Sequence, residues 1–162
     1  MKRLKLDRIN QAILEQLQNN ARISNLELAE KVNLSPSACL QRTKALEEAG
    51  YIRQYMASID LDAICINVMA YVMFRLRDHA THLRVQFERY IRQRREFVDC
   101  LKVDGEYDYI AFATCSTVGD FNALCEQLID DNPNIQNINS HFILDKPKWF
   151  AGYPLDNLIW RE

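Results

Sequence analysis

Ser24-Asn25-Leu26-Glu27-Leu28-Ala29-Glu30-Lys31-Val32-Asn33-Leu34-Ser35-Pro36-Ser37-Ala38-Cys39-Leu40-Gln41-Arg42-Thr43-Lys44-Ala45-Leu46-Glu47-Glu48-Ala49-Gly50 decides how the front of the chain folds. Ser24 and Glu27 have capping-box spacing, and Ile23 and Leu28 have the spacing of a hydrophobic staple. A helix therefore starts at Ser24, with Leu28, Ala29 and Val32 inward. Asn33 suits a left-handed cap. Ser35 then caps a second helix that has proline at its first position, and Gly50 closes it. Only Asn33 and Leu34 separate the two, and helices joined this tightly form a helix-turn-helix. Upstream, Asp7 caps a helix carrying Ile9, Ile13, Leu14 and Leu17 on one face and ending before Asn19. Three short helices are expected in all.

At 100° per residue the helix after Ser35 puts Cys39, Thr43 and Leu46 on its inner side, flanked by Leu40. Ser37, Gln41, Lys44 and Glu48 lie opposite, with Ala38 and Ala45 alongside and Arg42 at the edge. A small, polar stripe near a helix start fits a major groove about 12 Å wide, where glutamine reads adenine bidentately and alanine touches a thymine methyl. Arg42 and Lys44 are placed for phosphates, which orient a protein without specifying sequence. A plain helical hairpin is the rival reading, and Glu48 on the stripe favours it slightly. After Gly50, β-formers dominate Tyr51–Ile59, which reads as a strand leaving the helices. Arg53 in it reaches either phosphate or solvent.

The remainder alternates. Val68–Leu76 reads as a strand buried on both faces by its continuous apolarity. His79–Glu96 is helical, with Leu83, Phe87, Tyr90 and Ile91 inward. Phe97–Val103 and Tyr107–Cys115 are strands around the turn at Gly105. Thr117–Asp131 is a helix stopped by Pro133, and Ile135–Leu144 is the last strand. The order β-α-β-β-α-β is the ferredoxin-like split unit. It leaves one sheet face open, for which Met69, Tyr71, Met73, Cys100, Tyr109, Phe142 and Leu144 supply apolar material. Such a face implies a partner, most simply a second copy. The fold class is therefore α+β: a three-helix, winged-helix-like helix-turn-helix domain over 1–57, a linker over 58–66, and a ferredoxin-like domain with an aromatic tail over 67–162.

Composition narrows the function. The 162 residues are 48% hydrophobic and 26% charged, an ordinary globular balance for one domain or two small ones. With 20 basic and 22 acidic residues the net charge is −2, so binding to nucleic acid through bulk charge alone is not expected. The sign nevertheless differs along the chain: residues 1–60 carry a net +2 and residues 61–162 a net −4, so the front half is where an acidic polymer docks. No apolar run approaches the ~20 residues of a spanning helix. Met1–Asp7 is charged with no apolar core behind it, unlike a signal peptide. A cytoplasmic protein without membrane partners is expected.

Five dispersed cysteines, Cys39, Cys65, Cys100, Cys115 and Cys125, show neither CxxC nor a neighbouring histidine and read as small buried hydrophobes. His79 and His82 share helical spacing but lack a third metal ligand. No metal site, cofactor or catalytic residue is expected. An enzyme on the ferredoxin-like scaffold fails on residues: His141 adjoins only Ser140, which points to the opposite strand face.

Val103-Asp104-Gly105-Glu106-Tyr107-Asp108-Tyr109 joins the two central strands. Gly105 permits a positive φ, and three carboxylates fall within five residues. The ligand spacing of a calcium loop is absent. Two readings stay open here: an acidic, solvated hairpin, or a zwitterion site in which backbone N–H groups hold a carboxylate and a side chain holds an ammonium. Arg84, Arg89, Arg92, Arg94 and Arg95 make one helix strongly basic. A solvated face is the plain reading; DNA around an oligomer, or acidic residues of a neighbouring subunit, are the alternatives.

Leu6-Asp7-Arg8-Ile9-Asn10, Ala21-Arg22-Ile23-Ser24, Leu34 to Arg42 and Leu46 to Ile52 together resemble the Lrp/AsnC (feast/famine) transcriptional regulators. Gly105-Glu106-Tyr107-Asp108-Tyr109 resembles that family's effector-loop signature, and the likeness spans roughly residues 6–148. The resemblance implies sequence-specific binding to a pseudo-palindromic DNA operator and regulation of amino-acid metabolism. It implies homodimers through the sheet that assemble to tetramers or octamers, with an amino acid or related metabolite bound between dimers. Carried onto this chain, Ser35, Ser37, Ala38, Gln41 and Arg42 face DNA, with Lys44 and Arg53 added on position. Asp104, Gly105, Glu106, Tyr107, Asp108 and Tyr109 form the effector loop, with Phe142 and Ile143 near the pocket. A weakly specific DNA organiser without an effector is the alternative. Two features depart from the family pattern. Thr43 stands at an apolar inward position, where its hydroxyl needs a backbone acceptor. The tail Trp149-Phe150-Ala151-Gly152-Tyr153-Pro154 … Trp160 is unusually aromatic.

Overall fold

The computed structural model describes residues 4–161 and divides into two compact units, one over residues 4–58 with 148–161 and the other over Ile59–Pro147. Met1–Arg3, which enter the signal-peptide reading, lie outside the described residues.

The helical unit follows from its caps. Asp7 accepts a hydrogen bond from Asn10 N and starts α1, Arg8–Asn19. Ser24 and Glu27 close the expected capping box of α2, Asn25–Lys31. Asn33 takes φ 55°, and Ser35 caps α3, Pro36–Glu48. Gly50, at φ 74°, lets Gly50 N and Tyr51 N bond back to Glu47 O and Leu46 O. Each local device lets the chain reverse without orphaning backbone donors. Ile13, Leu28, Ala29, Val32, Cys39 and Leu46 form the core, the inner faces read from the spacing. α1 runs one residue further than expected.

Two expectations fail here. Tyr51–Ile59 is not a strand, and among the described residues this unit contains none. The segment is held by side chains: Tyr51 OH donates to Leu4 O at 3.0 Å and Tyr55 OH to Glu47 Oε1 at 2.8 Å. β propensity yields no strand without a ladder partner. The aromatic tail groups with α1, not with the sheet. Gln18 Nε2 donates to Tyr153 O and Gln18 Oε1 accepts from Tyr153 N, at 2.8 and 2.9 Å. Gly152, at φ 99°, lets the backbone pass against the Gln18 side chain, where a Cβ would lie 2.8 Å from Cδ.

The second unit opens with a four-residue helix, α4 (Leu61–Ile64), inside the stretch read as linker; Asp60 caps it. Then follow β1 (Val68–Leu76), α5 (Thr81–Gln93), β2 (Phe97–Lys102), β3 (Tyr109–Cys115), α6 (Val118–Asp131) and β4 (Ile135–Phe142). The sheet order is β2-β3-β1-β4, all neighbours antiparallel, which is the expected ferredoxin-like unit.

β1 alternates and is not buried on both faces. Ala70, Val72, Phe74 and Leu76 are buried with Phe87, Ile91, Phe121, Leu124 and Leu128 of the helices, whereas Tyr71 is 50% exposed. The open face carries Met69, Tyr71 and Met73 of β1 beside Thr114, Phe112 and Ile110 of β3. Of the apolar residues available for that face, whichever side each strand shows, three turn to the helices. Cys100 and Tyr109 pack in the core, and the Phe142 ring meets Phe121 at 5.1 Å. Register decides this: Cys100 pairs with Ala111, and Phe142 with Ala70, both helix-facing.

Candidate DNA-reading helix and effector loop

α3 is fixed from three sides. Its buried face holds Cys39 and Leu46, Asn25 Nδ2 donates to Pro36 O at 2.8 Å, and Ser35 Oγ accepts from Ala38 N at 3.3 Å. Ser37, Gln41 and Lys44 are exposed, with Ala38 half-buried beside them, so the stripe read from the wheel does face solvent. The Ser35 and Ser37 hydroxyls lie 3.2 Å apart, so Ser35 serves the cap as much as the surface. Arg53 is exposed.

Arg42 departs from expectation. Its Nη1 lies 3.0 and 2.8 Å from the two Asp7 carboxylate oxygens and 3.0 Å from Asn10 Oδ1. The edge position that made it look available to phosphate puts it within reach of the α1 cap. Asn10 is buried and donates its own Nδ2 to Lys5 O. The Asn10 backbone N–H, then the Arg42 guanidinium, hold the Asp7 carboxyl below its usual value. Arg42 thus ties α3 to α1. The sequence shows Asp7 as an acidic cap with Asn10 three positions on, of which only Asn10 is buried; the Arg42 partner lies 35 positions away. Thr43 finds no backbone acceptor; its hydroxyl is buried beside the Cys39 thiol and makes no well-formed hydrogen bond.

In the loop between β2 and β3, Asp104, Gly105 and Glu106 are exposed and Gly105 takes φ 120°. The residues after them anchor the loop. Asp108 Oδ2 accepts from Leu76 N at 2.8 Å, and its Oδ1 lies 3.1 Å from His79 Nδ1. Its backbone N–H donates to Phe74 O and its carbonyl accepts from Val103 N. Tyr107 OH accepts from Asn139 Nδ2 at 3.0 Å. Tyr109 is buried and donates to Glu88 Oε1 at 2.8 Å; burial, then that carboxylate, push its phenol well up. Strand Tyr107–Cys115 accordingly begins two residues late, at Tyr109.

Phe142 and Ile143 are not near this loop. Phe142 pairs with Ala70, while the loop returns at Tyr109 opposite Phe74; four residues of strand put them about 13 Å apart along the sheet. Ile143 N donates to Met69 O, further still from the loop. Clefts of about 570 and 250 Å3 exist in this unit, the larger lined by Asn67, Glu96, Thr114 and Asp120, the smaller by Leu83, Phe87 and Pro133. Neither includes a residue of the loop. In one chain the loop presents Asp104, Gly105 and Glu106 as an exposed surface. Among the described residues, no three of His, Cys, Asp and Glu come together in a geometry that could hold a metal ion, and no helix is long and apolar enough to cross a membrane. Cys39 and Cys115 are buried and Cys65 is exposed; burial, then Asp99 and Glu88, push the Cys100 thiol up to about 11.

A capped helix-turn-helix followed by a ferredoxin-like domain with a presented loop defines a two-domain regulator of transcription. Residues 6–53 match the model of the winged helix-turn-helix DNA-binding domain, and residues 69–150 that of the Lrp/AsnC ligand-binding domain. The chain belongs to the Lrp/AsnC family. It is 29% identical over 143 residues to the leucine-responsive regulatory protein of Escherichia coli K12, covering 88% of this chain and 87% of that protein. Its fold is similar to a Neisseria meningitidis transcriptional regulator in an L-Met complex, at TM-score 0.83 and 33% identity, covering 96% of this chain and all of that one. An AsnC-family regulator of Agrobacterium tumefaciens matches at TM-score 0.82 and 26% identity over 94% of this chain and 99% of that one. The protein is a DNA-binding regulator with a ligand-binding domain, not an enzyme. A ligand-binding domain over 69–150 disfavours the effector-free organiser.

Proposed function

We propose that the protein is a cytoplasmic, sequence-specific regulator of amino-acid metabolism whose operator binding is tuned by an amino acid. The observation that carries the reading is α3, buried on one face, capped at both ends, and presenting Ser37, Gln41 and Lys44 together. Gln41 reads a base, Ala38 and Ser37 shape the contact, and Lys44, Arg53 and the Ser35 end of the helix meet phosphates. One α3 per chain reads a half-site, so two chains joined by their open sheet faces read a pseudo-palindrome with half-sites spaced by helical turns.

Asp104, Gly105 and Glu106 meet the effector, held out by Tyr107, Asp108 and Tyr109. Phe142 and Ile143 enter the same site only from another copy, which fits an effector bound between dimers in a tetramer or octamer. The L-Met complex of the Neisseria regulator supports an amino acid as the effector class. Effector binding couples to operator affinity through assembly or dimer geometry, typically by ~1–3 kcal/mol. A thermal-shift screen of the twenty amino acids tests this: a ligand of the folded state raises the melting temperature. A selective rise that disappears in Glu106→Ala fits the reading, and no rise with any of them contradicts it.

A further inference from the structure

The base contact proposed above uses the polar residues of α3, and the helix exposes a large apolar side chain beside them. From α3 the core takes Cys39 and Leu46. Leu40, expected at the flank of that inner side, is 44% exposed. A single leucine at a surface is ordinary and needs no partner; the place of this one is what sets it apart. Ser37, Leu40, Gln41 and Lys44 have the i, i+3, i+4, i+7 spacing of one helix face, and all four are exposed. Successive residues turn by about 100°, so Leu40 and Gln41 stand on either side of the line from Ser37 to Lys44. The reading face therefore has a polar flank at Gln41 and an apolar flank at Leu40. Glu47 follows two turns along the apolar flank, and its carboxylate is turned to Tyr55 OH at 2.8 Å.

Base edges in the major groove offer hydrogen-bond donors, acceptors and one apolar group, the C5-methyl of thymine. Gln41 has the donor and acceptor that match adenine N7 and N6. A leucine beside it gains only from the methyl, and against any other base it covers polar atoms that lose their water. A helix rises ~1.5 Å per residue and a base step is ~3.4 Å. Leu40 therefore reaches the base pair that Gln41 reads or the pair next to it. Ala38 is the other apolar side chain near this face, but it is half-buried and lies beyond Gln41, away from Leu40.

We propose that Leu40 is a second specificity-determining residue of α3, which selects a thymine through its C5-methyl at the base pair read by Gln41 or directly beside it. This rests on base reading by α3 and names a further base that the half-site must hold. The two flanks work by different means. Gln41 selects by hydrogen bonds, and Leu40 by taking one methyl out of water. Burial of a methyl is worth about fourfold in affinity. Because Leu40 bears no charge, its contribution leaves the number of phosphate contacts, and so the salt dependence, unchanged.

The test uses the full chain and the duplex it selects from a random pool, with each thymine replaced in turn by deoxyuridine. That change removes the C5-methyl and leaves every hydrogen-bonding group in place. One thymine per half-site should then cost about fourfold in affinity, at the position where Gln41→Ala loses preference or directly beside it. Leu40→Ala should bind the unmodified duplex more weakly and lose nothing further when that thymine is replaced. Its melting temperature and salt dependence should match the wild type, since Leu40 lies outside the core. Ala38→Gly should keep the full deoxyuridine penalty. A selected duplex in which no thymine responds overturns the proposal and leaves Gln41 untouched. So does a penalty that persists in Leu40→Ala: its loss in Ala38→Gly assigns the methyl to Ala38, and a fall in self-association of Leu40→Ala assigns the leucine to a contact between chains. An unenriched pool overturns base reading by α3 and the proposal with it.

Discussion

Arg42→Ala separates an arginine that holds the helical unit together from one that grips DNA. The wild-type Nη1 serves three acceptors, two on Asp7 and one on Asn10. A hydrogen bond to a charged group contributes ~1.5–3 kcal/mol when sheltered. Here the arginine and aspartate side chains are 34% and 41% exposed, so solvent screening pulls the ion-pair part toward ~1 kcal/mol or less. Asn10, buried at 3%, loses one partner, which adds ~1 kcal/mol. The expected loss is therefore ~1–2 kcal/mol. The assay is urea unfolding followed by tryptophan fluorescence, because both tryptophans, Trp149 and Trp160, sit in the compact unit that contains α1 and α3. Asp7→Ala should cost a similar amount, and the double variant should cost less than the sum. The Asp7 carboxyl is depressed in the folded state relative to its ordinary 3.8. Its stabilisation is thus complete above that value and is lost as pH falls through the lower, folded value. The difference between wild type and Asp7→Ala should vanish in that acid range. A stable Arg42→Ala that instead binds every DNA sequence more weakly, with a shallower salt dependence, would refute the internal role.

Asp108→Ala leaves the Leu76 N–H, now bonded at 2.8 Å, without an acceptor, and should destabilise the sheet unit by ~1–3 kcal/mol in hydrogen exchange besides weakening any effector response. Gly152→Ala puts a Cβ 2.8 Å from the Gln18 side chain at φ 99°; the tail should release, which faster proteolysis after Lys148 and a shift in tryptophan emission will register. Cys65 is exposed, while burial raises Cys100 to about 11 and lifts Cys115 and Cys125 above the ordinary thiol value. An alkylating reagent near pH 8 should therefore label Cys65 quickly, and those three together with Cys39, which is buried and also raised, only on unfolding; rapid labelling of two or more counts against the core packing.

The helix-turn-helix was legible because its signals are local. A capping box, a left-handed Asn33 and a Ser-Pro start each act within four residues of where they stand. The strands were legible from their apolar runs, and their order from the alternation with helices. What escaped depends on partners far away in the chain. Nothing near Tyr51–Ile59 says that no strand waits to pair with it. Arg42 meets Asp7 across 35 positions and Gln18 meets Tyr153 across 135. The family resemblance puts Phe142 near the pocket, and the register that decides its distance from the loop within one chain is not readable from the sequence. A four-residue offset along β1 moved it to the far end of the sheet. The loop itself was found by composition, yet the division of labour within it was not. Asp104 and Glu106 stand free while Asp108 is bound to β1, a difference that only the antiparallel pairing of β1 with β3 creates.

The most direct test of the account is selection of bound sequences from a random duplex pool, run with the wild-type chain and with Gln41→Ala. Base reading by paired α3 helices predicts a pseudo-palindromic consensus with half-sites spaced by whole helical turns. It predicts that Gln41→Ala loses preference at one position per half-site, by ~1–3 kcal/mol, with weak non-specific binding unchanged. An unenriched pool, or a consensus that Gln41→Ala leaves intact, would contradict it.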